Sequence, residues 1–245
     1  MNIQDIYIVN ENPMLIQKLC KDHSKGSFNK YFIGILIVSI LSNWIPNILS
    51  VFLPTSMTEY MDMSSMGDYA NIMPQIPLIF AFYTFVFNGV LQLGQALYVL
   101  TYLRNRSTEP SAIFESFSFY FKAFKISIFQ TLICTMWAML FVIPGIIAAY
   151  GFRQSYFILA DDPSKGSLQC MAESKLRMTG NKMNLFRLDL TYFPYIFIGY
   201  FIQNMIYYVP SIDFSSLQGT IIALVASIPF VWATAKWSLG EAAFY

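Results

Sequence analysis

Histidine occurs once, at position 23, and cysteine three times, at 20, 134 and 170, with no C-x-x-C spacing among them. That scarcity leaves no ligand set for a zinc cluster, no histidine-driven acid–base pair and no framework of disulfides. No G-x-S-x-G elbow, P-loop or Gly-rich dinucleotide turn is present, so a serine nucleophile would lack a partner base. Catalysis is therefore the function the residues support least, and no cofactor, metal or nucleic-acid partner is expected. Charge is scarce as well. Only 12% of residues are charged, against roughly a quarter in soluble domains, while 56% are hydrophobic and 18% aromatic. Such a composition belongs to a membrane protein. The first thirty residues lack a short apolar core followed by a small-residue cleavage site, so no removable signal is expected.

The long apolar runs are the next fact. Crossing a hydrocarbon layer of about 30 Å takes about 20 residues, and runs of that size lie near 31–53, 76–103, 185–208 and 218–238. The stretch 126–160 would extend about 52 Å as one helix at roughly 1.5 Å per residue, too far for one crossing. Ile143-Pro144-Gly145 offers a break into two halves, 126–143 and 145–160, giving about six crossings. A re-entrant hairpin at the same place is the alternative. Charge placement orients the chain. Lys18, Lys21, Lys25 and Lys30 precede the first run; Arg104, Arg106, Lys122 and Lys125 follow the second; Lys165, Lys175, Arg177, Lys182 and Arg187 follow the split stretch. Segments 54–75 and 209–217 hold no Lys or Arg. The positive-inside tendency then puts both termini in the cytoplasm. Residues 1–30 read as a cytoplasmic N-terminal amphipathic segment, with Met14, Leu15 and Leu19 among lysines, and 31–245 as a single transmembrane domain.

Polar residues recur at helical spacing inside the runs. Ser39, Asn43, Asn47 and Ser50 share one face, as do Thr84, Asn88, Gln92 and Gln95; Ser127, Thr131 and Thr135 stand beside Gln130, and Tyr195, Gly199, Gln203 and Tyr207 form a fourth stripe. An amide without a partner in hydrocarbon costs several kcal/mol, so these faces should turn toward one another. Two explanations fit: hydrogen-bond glue between helices, or a hydrated groove lined by amides. Arg153, with Gln154 beside it, favours the groove unless it snorkels to the inner interface. The acids near the cytoplasmic ends that could pair with it are Asp161, Asp162, Asp189 and Glu241. Candidate ligand-binding residues are thus Arg153, Gln154, Asn43, Asn88, Gln92, Gln95 and Gln203. Two further segments read as amphipathic helices on the inner leaflet, where their lysines could meet anionic lipid. One is 110–124, with Ile113, Phe114, Phe117, Phe121 and Phe124; the other is 167–179, capped by Ser167 and stopped by Gly180 and Asn181.

The run IPGIIAAYGFRQSYFILADDP, followed by AESKLRMTGNKMNLFRLDL, resembles the signature of a poorly characterised family of multi-pass membrane proteins of Gram-positive bacteria. That family is distantly similar to the membrane domain attached to some glycerophosphodiester phosphodiesterases. The resemblance is densest over 113–200, and the final EAAFY is in keeping with it. It implies a bacterial plasma-membrane location and an all-α helix bundle, with Pro144, Gly145, Ser174, Gly180, Asn181 and Lys182 as pattern positions. It implies no enzyme activity, since the phosphodiesterase catalytic domain is missing. The expected function is non-enzymatic: binding or moving an amphiphile, peptide or lipid head group in a polar groove. The alternative is a structural or accessory subunit, such as a bacteriocin self-immunity or transporter-partner protein, with a membrane-protein partner.

Overall fold

The computed structural model describes residues 12–52, 78–206, 209 and 217–245, and these are helical with no strand. Asn12 opens the first helix, α1 (Pro13–His23): its side chain accepts from the Met14 amide at 3.0 Å, and Pro13 sits where a missing N–H costs nothing. Gly26, at φ +86, turns the chain into α2 (Phe28–Ser39). A π-helical turn (Ile40–Trp44) leads to α3 (Ile45–Phe52). Pro46 explains that turn. Ile45 donates to the Ile40 carbonyl, so the Leu41 carbonyl would need the amide of residue 46, which proline lacks. The Tyr83 hydroxyl donates to it instead, at 2.7 Å.

Tyr83 belongs to α4 (Leu78–Asn105), the central rod. Short α5 (Ala112–Glu115) passes through a 3-10 turn (Ser116–Phe119) into α6 (Tyr120–Leu140). Gly89 and Gly94 let α4 touch these neighbours. A Cβ on either would stand 2.7 Å from a backbone oxygen, of Ala123 and Ile113 respectively. The expected separate amphipathic helix over 110–124 is corrected here, because 112–140 is one continuous rod apart from the 3-10 turn. Its apolar set divides. Ile113 is in the core, whereas Phe114, Phe117 and Phe121 are exposed.

The chain reverses at Phe141, which takes extended backbone angles (φ −156, ψ 139), and returns as α7 (Val142–Phe152) packed along α6. The break thus falls before the Ile-Pro-Gly triplet. Pro144 lies in the first turn of α7, where its missing amide is one of those with no helical partner anyway. Gly145 serves packing: a Cβ there would meet Ala138 at 2.8 Å. After a two-residue interruption come α8 (Ser155–Asp161) and α9 (Ser167–Arg177). Ser167 is not the cap expected of it. Its hydroxyl donates to the Lys122 carbonyl at 2.9 Å, tying α9 to α6. Gly180, at φ +85, stops α9, while Asn181 has right-handed angles and opens α10 (Lys182–Met205). The last run is bent by 43° between α11 (Leu217–Ala226) and α12 (Ile228–Phe244), where Pro229 follows the break.

Among the described residues, three stretches are long and apolar enough to cross a membrane, Phe28–Leu49, Leu78–Asn105 and Ala112–Leu140, and a fourth is if the bent pair α11–α12 is one span. The expected count of six exceeds this. Helix α7 has only eleven residues, about 16 Å, and α10 is diluted by Asn184, Arg187, Asp189 and Gln203.

Tyrosines join the helices. Tyr31, fully buried, donates to the Ala235 carbonyl at 3.0 Å, lies 2.8 Å from the Ser238 hydroxyl, and stacks on Tyr102 at 4.5 Å. Tyr98 donates to the Lys30 carbonyl at 3.1 Å, and the Ser27 and Tyr102 hydroxyls bond at 2.7 Å. The hydroxyls of Tyr31, Tyr98 and Tyr102 each keep a partner, so these rings contribute burial without stranding a donor.

Candidate functional site

The interruption between α7 and α8 positions Arg153. Two backbone groups would be left unpaired there, and Ser174 of α9, fully buried, takes both. Its hydroxyl donates to the Gly151 carbonyl at 2.9 Å and accepts from the Gln154 amide at 3.2 Å. Ser155 closes the turn with a bond to the Phe152 carbonyl at 2.8 Å. With the backbone thus held, Arg153 reaches α12, where its Nε donates to Glu241 Oε1 at 2.5 Å. The guanidinium carbon lies 4.5 Å from the Trp237 ring centre and 6.0 Å from that of Tyr150. Trp237 Nε1 and the Tyr150 hydroxyl each donate at 2.7 Å to the carboxylate of Asp189 on α10. One cation, two carboxylates and two aromatic donors therefore form one cluster across α7, α10 and α12. Arg153 Nη2 is buried and has no partner among the described residues. The Arg153 side chain is 26% exposed and pairs with Glu241 of α12.

Trp237 also floors a recess of about 290 Å3 into which Asn43, Gln95 and Gln203 converge from the α2–α3 bend, α4 and α10. Ser39, Ser42 and Asn47 complete its polar wall. Asn88 and Gln92 go elsewhere. They bond to each other at 3.1 Å and line a second recess of about 300 Å3 with Ser127, Gln130 and Thr131 of α6. Helix α4 lies between the α2–α3 pair and α6, so its single stripe serves both sides. Gln154 is buried and lines neither recess. Tyr207 lies outside the described residues.

Several polar residues in and beside the stripes bond to the backbone of their own helix. Ser42 donates to the Val38 carbonyl at 2.7 Å, Asn47 to that of Asn43 at 2.7 Å, Thr84 to that of Phe80 at 2.9 Å and Asn204 to that of Tyr200 at 2.8 Å. Tyrosines join helices at several places, while Asn43, Gln95 and Gln203 line one recess and Asn88 and Gln92 the other.

The pattern positions are accounted for by backbone geometry. Pro144 and Gly145 shape the return of α7, Ser174 caps its interruption, and Gly180 supplies the left-handed residue. The Asn181 side chain donates to the Arg177 carbonyl at 2.8 Å, and Lys182 lies along Gly151, where a Cβ would touch its Cε at 3.7 Å. On α9, Glu173 bridges Lys165 at 2.8 Å and Arg177 at 2.7 Å. Burial pushes its carboxyl upward, but these two cations outweigh burial and hold it below the usual range. Among the described residues no group of three or more His, Cys, Asp or Glu is placed to hold a metal.

Sequence reasoning named Asp189 and Glu241 as partners for Arg153 but missed Tyr150 and Trp237. Tyr150 stands three residues before Arg153 and Trp237 four before Glu241, so helical spacing was the available signal.

A family model described as a protein of unknown function (DUF975) matches residues 113–218, which run from the end of α5 through α10. The stretch contains Arg153, Ser174 and Asp189, whereas Trp237 and Glu241 lie beyond it. No curated protein and no solved structure matches the chain.

Proposed function

We propose that this chain is a multi-pass plasma-membrane protein without catalysis of its own, which binds or moves an amphiphile, a peptide or a lipid head group in the recess floored by Trp237. One observation carries the reading: Asn43, Gln95 and Gln203, from three parts of the bundle, line one recess together with Trp237, whose indole also contacts Arg153 and Asp189. A head group there would find neutral donors and acceptors, and its occupancy would bear on a ring that packs against a buried cation. The Gram-positive resemblance and the distant kinship with the phosphodiesterase membrane domain support the location and belong to the same proposal. So does the sidedness, with both termini cytoplasmic and the α6–α7 hairpin serving as two crossings or a re-entrant loop.

The test is lipid and peptide retention by the purified protein, followed by mass spectrometry. Asn43→Leu with Gln203→Leu should strip the retained species, and Arg153→Ala should weaken it. Stable variants that retain everything the parent retains would defeat the groove. A second reading, the accessory subunit, draws on the bare hairpin tip, where Met139, Phe141 and Ile143 are 84%, 72% and 71% exposed. A stoichiometric membrane partner that co-purifies only while Met139 and Phe141 are intact would favour it.

A further inference from the structure

A cavity of about 520 Å3 lies beneath α1 and shares no lining residue with the amide recess. Lys18, Lys21 and Lys25 enter it from α1 and the turn after it, and Lys236 enters from α12. Among the described residues no Asp or Glu lines it, and none of the four lysines forms an ion pair. Where cations and acids meet elsewhere in this fold they pair, as Arg104 does with Asp161 and Lys165 with Glu173; here no acid is at hand. Four like charges gathered without a counter-charge ask for an anion.

The walls say which kind. They are aromatic, from Phe28, Tyr192 and Trp232, and Lys236 Nζ rests 3.5 Å from the Trp232 ring centre. On α1, Met14 at the cavity's edge and Leu19 beside it are 71% and 58% exposed among the described residues. An apolar rim next to a lysine cluster fits a molecule that is anionic at one end and oily at the other. Lysines act on phosphate as point charges, whereas bidentate recognition would favour arginine.

We propose that this cradle binds the phosphate of an anionic phospholipid, with an acyl chain along the Phe28–Trp232 wall, and so anchors α1 to the bundle. Full-length protein in detergent is titrated with phosphatidylglycerol or phosphatidylcholine, and bound lipid is counted by native mass spectrometry. Phosphatidylglycerol should be held selectively. Lys21→Gln with Lys236→Gln should weaken it about 25-fold, from about fivefold per lysine, while the Arg pair at the same positions keeps it. Removing two charges elsewhere, by Lys125→Gln with Lys175→Gln, should leave it unchanged. Should the double Gln variant misfold, Lys18→Gln, on an exposed position of α1, carries the comparison at about fivefold. Equal retention of phosphatidylcholine, equal weakening by the Lys125 and Lys175 pair, or displacement by equimolar glycerol 3-phosphate would each overturn the assignment. Because the amide recess is separate, retention there can fail or succeed independently.

Discussion

Glu241→Gln is the sharpest perturbation the cluster offers. It keeps the shape of the side chain, removes its charge and leaves Arg153 facing the aromatic rings with Asp189 already occupied by Tyr150 and Trp237. Breaking a buried ion pair from one side costs about 3–5 kcal/mol. The Arg153 side chain is 26% exposed and that of Glu241 11%, so solvent screening places the loss near the lower end, about 3 kcal/mol. At about 2–4 °C per kcal/mol for a chain of this size, the melting temperature should fall by about 6–12 °C. The decisive assay is a cycle with Arg153→Met, scored by thermal unfolding in one detergent. Each single variant strands a charge, whereas the double strands none on this pair, so the double should be no worse than the poorer single, a coupling of about 3 kcal/mol. If the two losses simply add, Arg153 and Glu241 are not partners, and the inward orientation of Arg153 is wrong.

Ser174→Ala should lose both bonds at the α7–α8 interruption and leave two buried backbone groups unpaired, about 2 kcal/mol or more in thermal unfolding; an unchanged midpoint would mean the interruption is satisfied otherwise. Gly145→Val should separate α7 from α6, because its Cβ would stand 2.8 Å from Ala138; loss of about 1–3 kcal/mol is the measure. The Glu173 clamp has a pH signature. Its folded carboxyl titrates below the unfolded one, so its stabilisation is complete above the unfolded value and fades as pH falls through the folded one. Glu173→Gln should flatten the acid limb of the stability profile. For orientation, cysteines placed at Ser64 and Ser215 should react with an impermeant thiol reagent on intact cells, while one at exposed Lys175 should not. Native Cys170, fully buried, would be silent on either face.

The all-helical architecture was legible because it rests on run length and on period, and both survive any packing. The breaks were less so. Proline and glycine at 144 and 145 announced a discontinuity near the right place, yet the reversal falls at Phe141, since proline is most comfortable just inside a helix start rather than at the turn itself. The interruption after Phe152 had no local marker. No proline or glycine stands between Phe152 and Ser155, and the residue that stabilises the gap, Ser174, is some twenty positions away on another helix. Likewise 110–124 showed the period of a surface helix, but Ser116 bonds back to Ile113 at 2.7 Å and tightens the chain without ending it.

The site divides along the same line. A stripe on one helix predicts that its residues share a face, but not which neighbour that face meets, so Asn88 and Gln95 could not be sorted into separate recesses from spacing alone. Charge was more informative than polarity. A cation in an apolar run must be neutralised by something, and with so few acids in the chain the short list of candidates already held both Glu241 and Asp189. Polar uncharged residues carry no such obligation, because a hydroxyl or amide can satisfy itself on the preceding turn, as Ser42, Asn47 and Thr84 do. That asymmetry gives the two parts of the molecule different tolerances. Charge-cluster variants should fail by unfolding, whereas recess variants such as Asn43→Leu and Gln203→Leu should keep the fold and lose only what the recess holds. A stability measurement beside each retention measurement therefore separates the scaffold from the site.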